Sequence, residues 1–245
     1  GHAYLMGRGH LVKVAADWVT AEVANTDYPF TACTGFVMEG TTLVAATEMG
    51  IYRSDDAGVS WRPSNEGIVN TDILPLAADP NDPDYFYVAS GQLADCGIYL
   101  TTDGGQTWSQ RGQRMLNTDV RSLAIHPHDR NTLLAGTGNK LDVDGQNGGI
   151  WKSTDAGLTW RNVTVGDFPD EARLVIDIQY SPDNSDIVYA CVVGIFQGFY
   201  KSLDGGEQAG NADGPGPGLN RDQQQRGGRG QQREPGDALD EGLPV

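Results

Sequence analysis

Short apolar runs recur along the whole chain, and each is closed by a turn rich in Gly, Pro, Asn or Asp. No run shows helical periodicity, which excludes alternating β-α units and stacked helix pairs. The clearest unit predicts four short strands: strand A at 73–78, strand B at 85–90, strand C at 97–101 and strand D from about 107. Strands of this length, in units of about 40–50 residues, favour a repeated all-β architecture.

One motif is repeated four times, with the pattern Ser/Thr-x-Asp-x-Gly-x-Ser/Thr-Trp. Successive copies of its aspartate are 47, 52 and 49 residues apart, and the fourth copy has Gln208-Ala209 in place of Thr-Trp. The motif residues are Ser54, Asp56, Gly58 and Trp61; Thr101, Asp103, Gly105 and Trp108; Ser153, Asp155, Gly157 and Trp160; and Ser202, Asp204 and Gly206.

This motif resembles the Asp-box, or BNR repeat, of sialidases, xyloglucan hydrolases, sortilin-type receptors and photosystem II assembly factors. The resemblance covers residues 42–207 and implies an all-β β-propeller whose blades have four antiparallel strands. In that family the box is the hairpin between strands C and D. The count of units predicts an incomplete propeller of about four blades, with the propeller at residues 1–206.

The residue types of the box predict a structural role. Aspartate accepts backbone N–H groups within its own turn, and glycine supplies positive φ. The following Ser or Thr hydroxyl can close the turn, and the tryptophan is expected on strand D, packed against neighbouring strands. A catalytic acid is normally unique, whereas this aspartate recurs in every unit.

Composition narrows the range of partners. The formal net charge is −16, with 25 Asp and 8 Glu against 13 Arg and 4 Lys. Such a chain is not expected to bind nucleic acid or anionic membranes, and its acidity resembles that of salt-adapted proteins. No apolar run is long enough to cross a membrane, and no signal peptide is visible. Three cysteines without a CxxC motif predict no zinc site and at most one disulfide, which weakly favours the cytoplasm.

The segment 207–245 differs from the rest of the chain. It contains no Phe, Trp or Tyr and is rich in Gly, Pro, Gln and Arg, which predicts a disordered tail. RNA binding by its Arg-Gly tract is a weaker alternative, because acidic residues outnumber its arginines. Since the pattern breaks within a box, a truncation or frameshift after Glu207 is a further hypothesis.

A ligand is expected on the face opposite the boxes, formed by loops 92–96, 113–119, 140–148 and 165–173. Asp72, Asp119 and Asp177 are weak catalytic candidates on inner strands, with Arg121 and Arg173 expected as their salt-bridge partners. The acidic loop 141–148 lacks calcium-loop spacing, so no metal is predicted. The sequence contains no Arg-Ile-Pro element, which argues against a sialidase.

The sequence therefore favours a non-catalytic scaffold that binds a protein or carbohydrate partner through its loop face and uses no cofactor. The alternative is a glycoside hydrolase of sialidase or xyloglucanase type, which would need two suitably spaced carboxylates. A truncated copy without its own function is the third hypothesis.

Overall fold

The computed structural model describes backbone and side chains for residues 32–90, 97–112, 119–138, 148–164, 174–193 and 198–207. For residues 3–7, 10–14 and 21–25 it describes the strands alone. The described residues form 18 strands in five antiparallel sheets.

Four of these sheets carry a box and are numbered here as blades in chain order. Blade 1 contains β4 (Cys33–Glu39), β5 (Thr42–Thr47), β6 (Gly50–Ser54) and β7 (Arg62–Pro63). Blade 2 contains β8 (Ile73–Asp79), β9 (Asp82–Ser90), β10 (Gly97–Thr101) and β11 (Ser109–Arg111). Blade 3 contains β12 (Val120–His126), β13 (Asp129–Thr137), β14 (Gly149–Ser153) and β15 (Arg161–Asn162). Blade 4 contains β16 (Leu174–Tyr180), β17 (Val188–Val193) and β18 (Gly198–Ser202).

The fifth sheet lies at the N-terminus. It consists of β1 (Ala3–Gly7), β2 (His10–Val14) and β3 (Ala21–Asn25), paired in the order β1-β2-β3. The apolar pattern predicts two or three strands in this part of the chain, and three are present.

Each blade is an antiparallel meander whose strands pair in sequence order, from A to D in blades 1 to 3 and from A to C in the described part of blade 4. The all-β propeller prediction is confirmed. Strand D differs in one detail, because it is only two or three residues long and begins after the tryptophan. The tryptophans therefore belong to the box turn and not to strand D as expected.

Consecutive blades pack face to face along their inner strands, with β8 between β4 and β12 and with β12 next to β16. Separate apolar clusters fill the junctions between blades 1 and 2, 2 and 3, and 3 and 4. The core is therefore divided among the junctions, as in other repeat architectures.

The segment that joins blade 1 to blade 2 also contributes to a junction. Glu66 forms an isolated parallel bridge with Thr107, and the backbone N–H of Trp108 donates to the Glu66 carbonyl at 2.9 Å. A Cβ at Gly67 would lie 2.1 Å from the Trp108 carbonyl oxygen, and Gly67 has a φ of +95°. This linker is therefore packed directly against the box of the next blade.

Within the described residues, no helix is long and apolar enough to cross a membrane. Cys33 and Cys191 are both free thiols, and burial raises the pKa of Cys33 to about 11. Cys96 lies outside the described residues, so the disulfide prediction is not tested there.

Candidate functional site

The box turn is a closed hydrogen-bond network around its aspartate. In blade 1, Asp56 Oδ1 accepts the Ser60 backbone N–H and the Ser54 hydroxyl, both at 2.8 Å. Asp56 Oδ2 accepts the Ser60 hydroxyl at 2.6 Å, and Ser54 Oγ accepts the Gly58 N–H at 2.8 Å. Both carboxylate oxygens of Asp56 thus accept bonds from donors of the same turn.

Boxes 2 and 3 repeat this network. The hydroxyl-to-Oδ2 bonds, from Thr107 to Asp103 and from Thr159 to Asp155, are again 2.6 Å. In box 4 the Ser202 hydroxyl donates to Asp204 at 2.5 Å, and the Gly206 N–H donates to Ser202 at 3.1 Å.

The network holds its carboxylates ionised. Hydrogen bonds from Ser60, first through its hydroxyl, lower the pKa of Asp56 to about 2. Burial opposes the shift at Asp103 and Asp155, but donors from Thr107 and Thr159 still leave both pKa values below the ordinary range. Carboxylates with a low pKa that are bound to donors of their own turn are poor general acids.

Each box contains two consecutive residues with positive φ. The motif glycines predict only the second, and the first is missed by sequence reasoning. In boxes 1 and 3 the first is alanine, with φ of +59° at Ala57 and +58° at Ala156. The corresponding Gly104 and Gly205 in boxes 2 and 4 were the available signal for this strained position.

The boxes also connect neighbouring blades. Arg53 of blade 1 donates from Nη1 to the Gly104 carbonyl of box 2. At the equivalent place, Lys152 of blade 3 donates from Nζ to the Gly205 carbonyl of box 4 at 2.9 Å and to Glu207 at 2.7 Å. A cation on strand C therefore binds the next box in two of the three junctions.

The three tryptophans are not equivalent in burial. Trp108 is 6% exposed, donates from Nε1 to the Ser64 carbonyl of blade 1 at 2.8 Å and meets the Phe86 ring edge-on at 5.4 Å. Trp61 and Trp160 are half-buried and donate to glycine carbonyls of their own boxes. Of the three tryptophans, Trp108 thus fills a junction most completely.

The three catalytic candidates do not form one group. Asp72 and Asp119 directly precede the equivalent inner-strand residues Ile73 and Val120, and Asp72 is close enough for its charge to raise the pKa of Asp119. Asp177 lies further along its strand after a bulge, is exposed and accepts a bond from Gln179 at 3.1 Å.

Asp119 is the most buried of the three. Its side chain is 5% exposed and pairs with Arg121 at 2.9 Å, as predicted for that arginine. Burial raises its pKa first, and the Asp72 charge adds to this, although Arg121 opposes both. Arg173, the other predicted partner, lies outside the described residues.

Most of the predicted loop face also lies outside the described residues; only Asp119 and Gly148 of the four loops are described. In the described part of the chain, no cluster of three or more His, Cys, Asp or Glu side chains is arranged to hold a metal ion. The acidic loop falls almost entirely at undescribed positions.

The outer face of blade 4 has an unusual exposure. By register, Tyr189 and Phe199 occupy positions that in the earlier blades face the next blade. Tyr189 is 47% exposed and Phe199 is 79% exposed, whereas all their counterparts are 3% exposed or less. Those counterparts are Val44, Tyr87 and Leu134 for Tyr189, and Ile51, Ile98 and Ile150 for Phe199.

Comparison with known proteins agrees with this architecture. Residues 49–165 match the family described as sortilin, neurotensin receptor 3. The GH74 xyloglucanase of Xanthomonas campestris aligns with a TM-score of 0.57 and 21% identity over 90% of this chain and 32% of that one. YCF48 bound to a D1 peptide aligns with a TM-score of 0.58 and 17% identity over 85% of this chain and 64% of that one. The chain is therefore a β-propeller with Asp-box repeats and is similar to these proteins in fold.

A curated relative of this Asp-box propeller is the probable oligoxyloglucan-reducing end-specific xyloglucanase of Neosartorya fischeri. It is 28% identical over 192 residues, which are 72% of this chain and 23% of the relative. The propeller therefore spans about a quarter of that enzyme's length. The solved structures share the fold at identities too low to transfer an activity.

Proposed function

We propose that this propeller is a non-catalytic scaffold that binds a protein partner. The observation that carries the proposal is the exposed face of blade 4, named here the end face. By register it carries Tyr189 and Phe199, with Asp177, Gln179 and Lys201 beside them. Exposed apolar side chains that are rimmed by polar groups mark protein-binding sites more often than ordinary surface.

The character of the partner follows from the earlier junctions. Lys201 corresponds to Arg53 and Lys152, which donate to carbonyls of the next box. The end face therefore suits a protein surface that offers small residues opposite Tyr189 and a backbone carbonyl to Lys201. Peptide binding by YCF48 and the laminin complex of nidogen, a further structural neighbour, support a protein partner. A carbohydrate or protein ligand on the loop face is also part of the proposal.

The test is photo-cross-linking from position 199 in extract of the native host. We expect one discrete adduct, competed by added unlabelled protein but not by protein carrying Tyr189→Ser and Phe199→Ser. A probe at Leu158, which is 57% exposed on the blade 3 box, is the matched control and should give no such adduct. Adducts that are equal at both positions, or adducts to the chain itself alone, would refute the proposal.

A glycoside hydrolase is the second candidate, and one observation favours it. Asp119 has a raised pKa and a second carboxylate, Asp72, near it, which is the arrangement that produces a general acid beside an ionised carboxylate. The Arg121 ion pair weighs against this role. Turnover of a fluorogenic xyloglucan oligosaccharide by the wild-type protein, lost in both Asp119→Ala and Asp72→Ala, would replace the scaffold proposal.

A further inference from the structure

One position on strand C differs in charge from blade to blade. The fourth residue of that strand is Arg53 in blade 1, Leu100 in blade 2, Lys152 in blade 3 and Lys201 in blade 4. Each pairs with the equivalent residue of strand B, so all four occupy the same place on the blade. This place, named here the junction position, is therefore cationic in three blades and apolar in one.

The box turns fall into two types that match this difference. Boxes 2 and 4 contain Asp-Gly-Gly and are named here Gly-Gly boxes, whereas boxes 1 and 3 contain Asp-Ala-Gly and are named Ala-Gly boxes. Arg53 bonds to box 2 and Lys152 bonds to box 4, whereas Leu100 precedes box 3. In the three junctions between blades 1 and 4, a cation at the junction position thus accompanies a Gly-Gly box, and leucine accompanies an Ala-Gly box.

The contacts give a physical reason for this match. Arg53 donates from Nη1 to the Gly104 carbonyl, and a Cβ added at Gly104 would lie 2.8 Å from that nitrogen. Lys152 donates from Nζ to the Gly205 carbonyl at 2.9 Å, and a Cβ added at Gly205 would lie 4.0 Å from Nζ. A side chain at the first turn position would therefore clash with the arginine and touch the lysine, so glycine leaves room for the cation of the preceding blade.

The residue after the two glycines supplies a further acceptor. Glu207 Oε1 lies 2.7 Å from Lys152 Nζ, and Gln106 has the same place in box 2. The Ala-Gly boxes have Val59 and Leu158 there, whose side chains cannot accept a hydrogen bond. A Gly-Gly box of this chain thus offers a cation both an accessible backbone carbonyl and a polar side chain.

Lys201 is the cation of the end face. Its Nζ lies 5.9 Å from the centre of the Tyr189 ring, and it shares its side of strand C with Phe199. By its position it suits a Gly-Gly box. Box 1 of a second copy of this chain does not fit, because it has Ala57, and boxes 2 and 4 already bond to the cations of blades 1 and 3.

We propose that the end face binds an Asp-box blade of a different protein, whose box contains Asp-Gly-Gly followed by glutamate or glutamine. Lys201 donates to the carbonyl of the first glycine and binds the following polar side chain, as Lys152 does at box 4. Apolar residues of the partner blade pack against Tyr189 and Phe199. This inference rests on the proposed function, since it specifies the protein partner of the same face.

The first experiment tests the match inside the chain with a double-mutant cycle in urea denaturation. Gly104→Ala should raise the unfolding equilibrium constant at least about fivefold more in the wild-type background than in Arg53→Leu, because only the wild type has a cation over the turn. Asp84 Oδ1, which would also meet the new Cβ at 2.6 Å, is present in both backgrounds, so its effect cancels. Equal costs in the two backgrounds would overturn the match and with it the proposal.

The second experiment identifies the partner segment. The full chain with a photo-cross-linker at position 199 is irradiated in extract of the native host, and the adduct is digested and sequenced by mass spectrometry. We expect the linked peptide to come from a blade with an Asp-Gly-Gly box that continues with glutamate or glutamine. Lys201→Leu, which copies blade 2, should lower the adduct yield at least about tenfold, whereas Lys201→Arg, which copies blade 1, should retain it.

The outcomes separate this inference from the proposed function. An adduct with a protein that has no Gly-Gly box, or a yield that Lys201→Leu leaves unchanged, would contradict the inference while the end face still binds a protein. The absence of any adduct would refute both.

Discussion

Replacing Trp108 with alanine tests whether the junctions between blades hold the propeller together. The side chain is 6% exposed and lies between blade 2 and Ser64 of blade 1. Burying an indole removes roughly 200 Å² from water, or about 5 kcal/mol at 25 cal/mol per Å². Truncations of this kind cost about 3–5 kcal/mol in practice, and the Ser64 carbonyl also loses its donor.

We therefore expect Trp108→Ala to lower the free energy of unfolding by about 4 kcal/mol. Trp108→Phe keeps the edge-on contact with Phe86 but loses the indole N–H, and it should cost about 2 kcal/mol. The measurement is urea denaturation followed by far-UV circular dichroism, with the slope compared among variants, because independent unfolding of one blade would reduce it.

Trp61→Ala is the matched control. Trp61 has the same position in its box, but it is half-buried and donates to Gly58 of its own turn at 3.1 Å. It should cost less than half as much as Trp108→Ala. A cost for Trp61→Ala equal to or greater than that for Trp108→Ala would refute the argument that junction burial, and not the box itself, sets the energy.

Three further predictions concern the backbone and the carboxylates. Gly67→Ala should destabilise by more than about 2 kcal/mol in the same denaturation assay, because its Cβ would overlap the Trp108 carbonyl at 2.1 Å and its φ is +95°; a neutral effect would show that the linker can move. Ala156→Gly should raise the melting temperature slightly, since relief of a φ of +58° outweighs the added freedom of the unfolded chain; a lower melting temperature would contradict the strain. The lowered pKa values of the box aspartates contribute stability that is present above their ordinary pKa and is lost as the pH falls through the folded value, about 2 for Asp56. Asp103→Asn should therefore flatten the acidic part of the curve of stability against pH. An unchanged curve would show that this carboxylate does not contribute.

The box and the blade unit could be predicted because they repeat. Four copies of one turn sequence show which residues belong together, and the interleaved apolar runs supply the strands around them. A single copy of the motif, however, does not show which residues of the neighbouring blade it contacts. Trp108 and Trp61 have the same position in the motif, but only Trp108 bonds to Ser64 across a junction and packs against Phe86 of its own blade.

The position of Asp177 was not predicted. Asp72 and Asp119 each precede the first paired residue of strand A, whereas Asp177 lies two residues after the equivalent residue Val175 and so occupies a different place on its strand. The alanines with positive φ were also missed. An alanine in the sequence does not predict positive φ, and only Gly104, at the same position in box 2, indicates that the turn requires it.

The linker between blades 1 and 2 determines where this chain can be divided. Because Glu66 and Gly67 complete the box of the following blade, cleavage at the linker would separate two halves that each lack part of a junction. The turn at Gly40 offers a better opening, since a Cβ there would meet nothing within 4 Å. Split reporters and circular permutants of this propeller should therefore be opened in an exposed turn between strands A and B of a blade and not in the linker between blades.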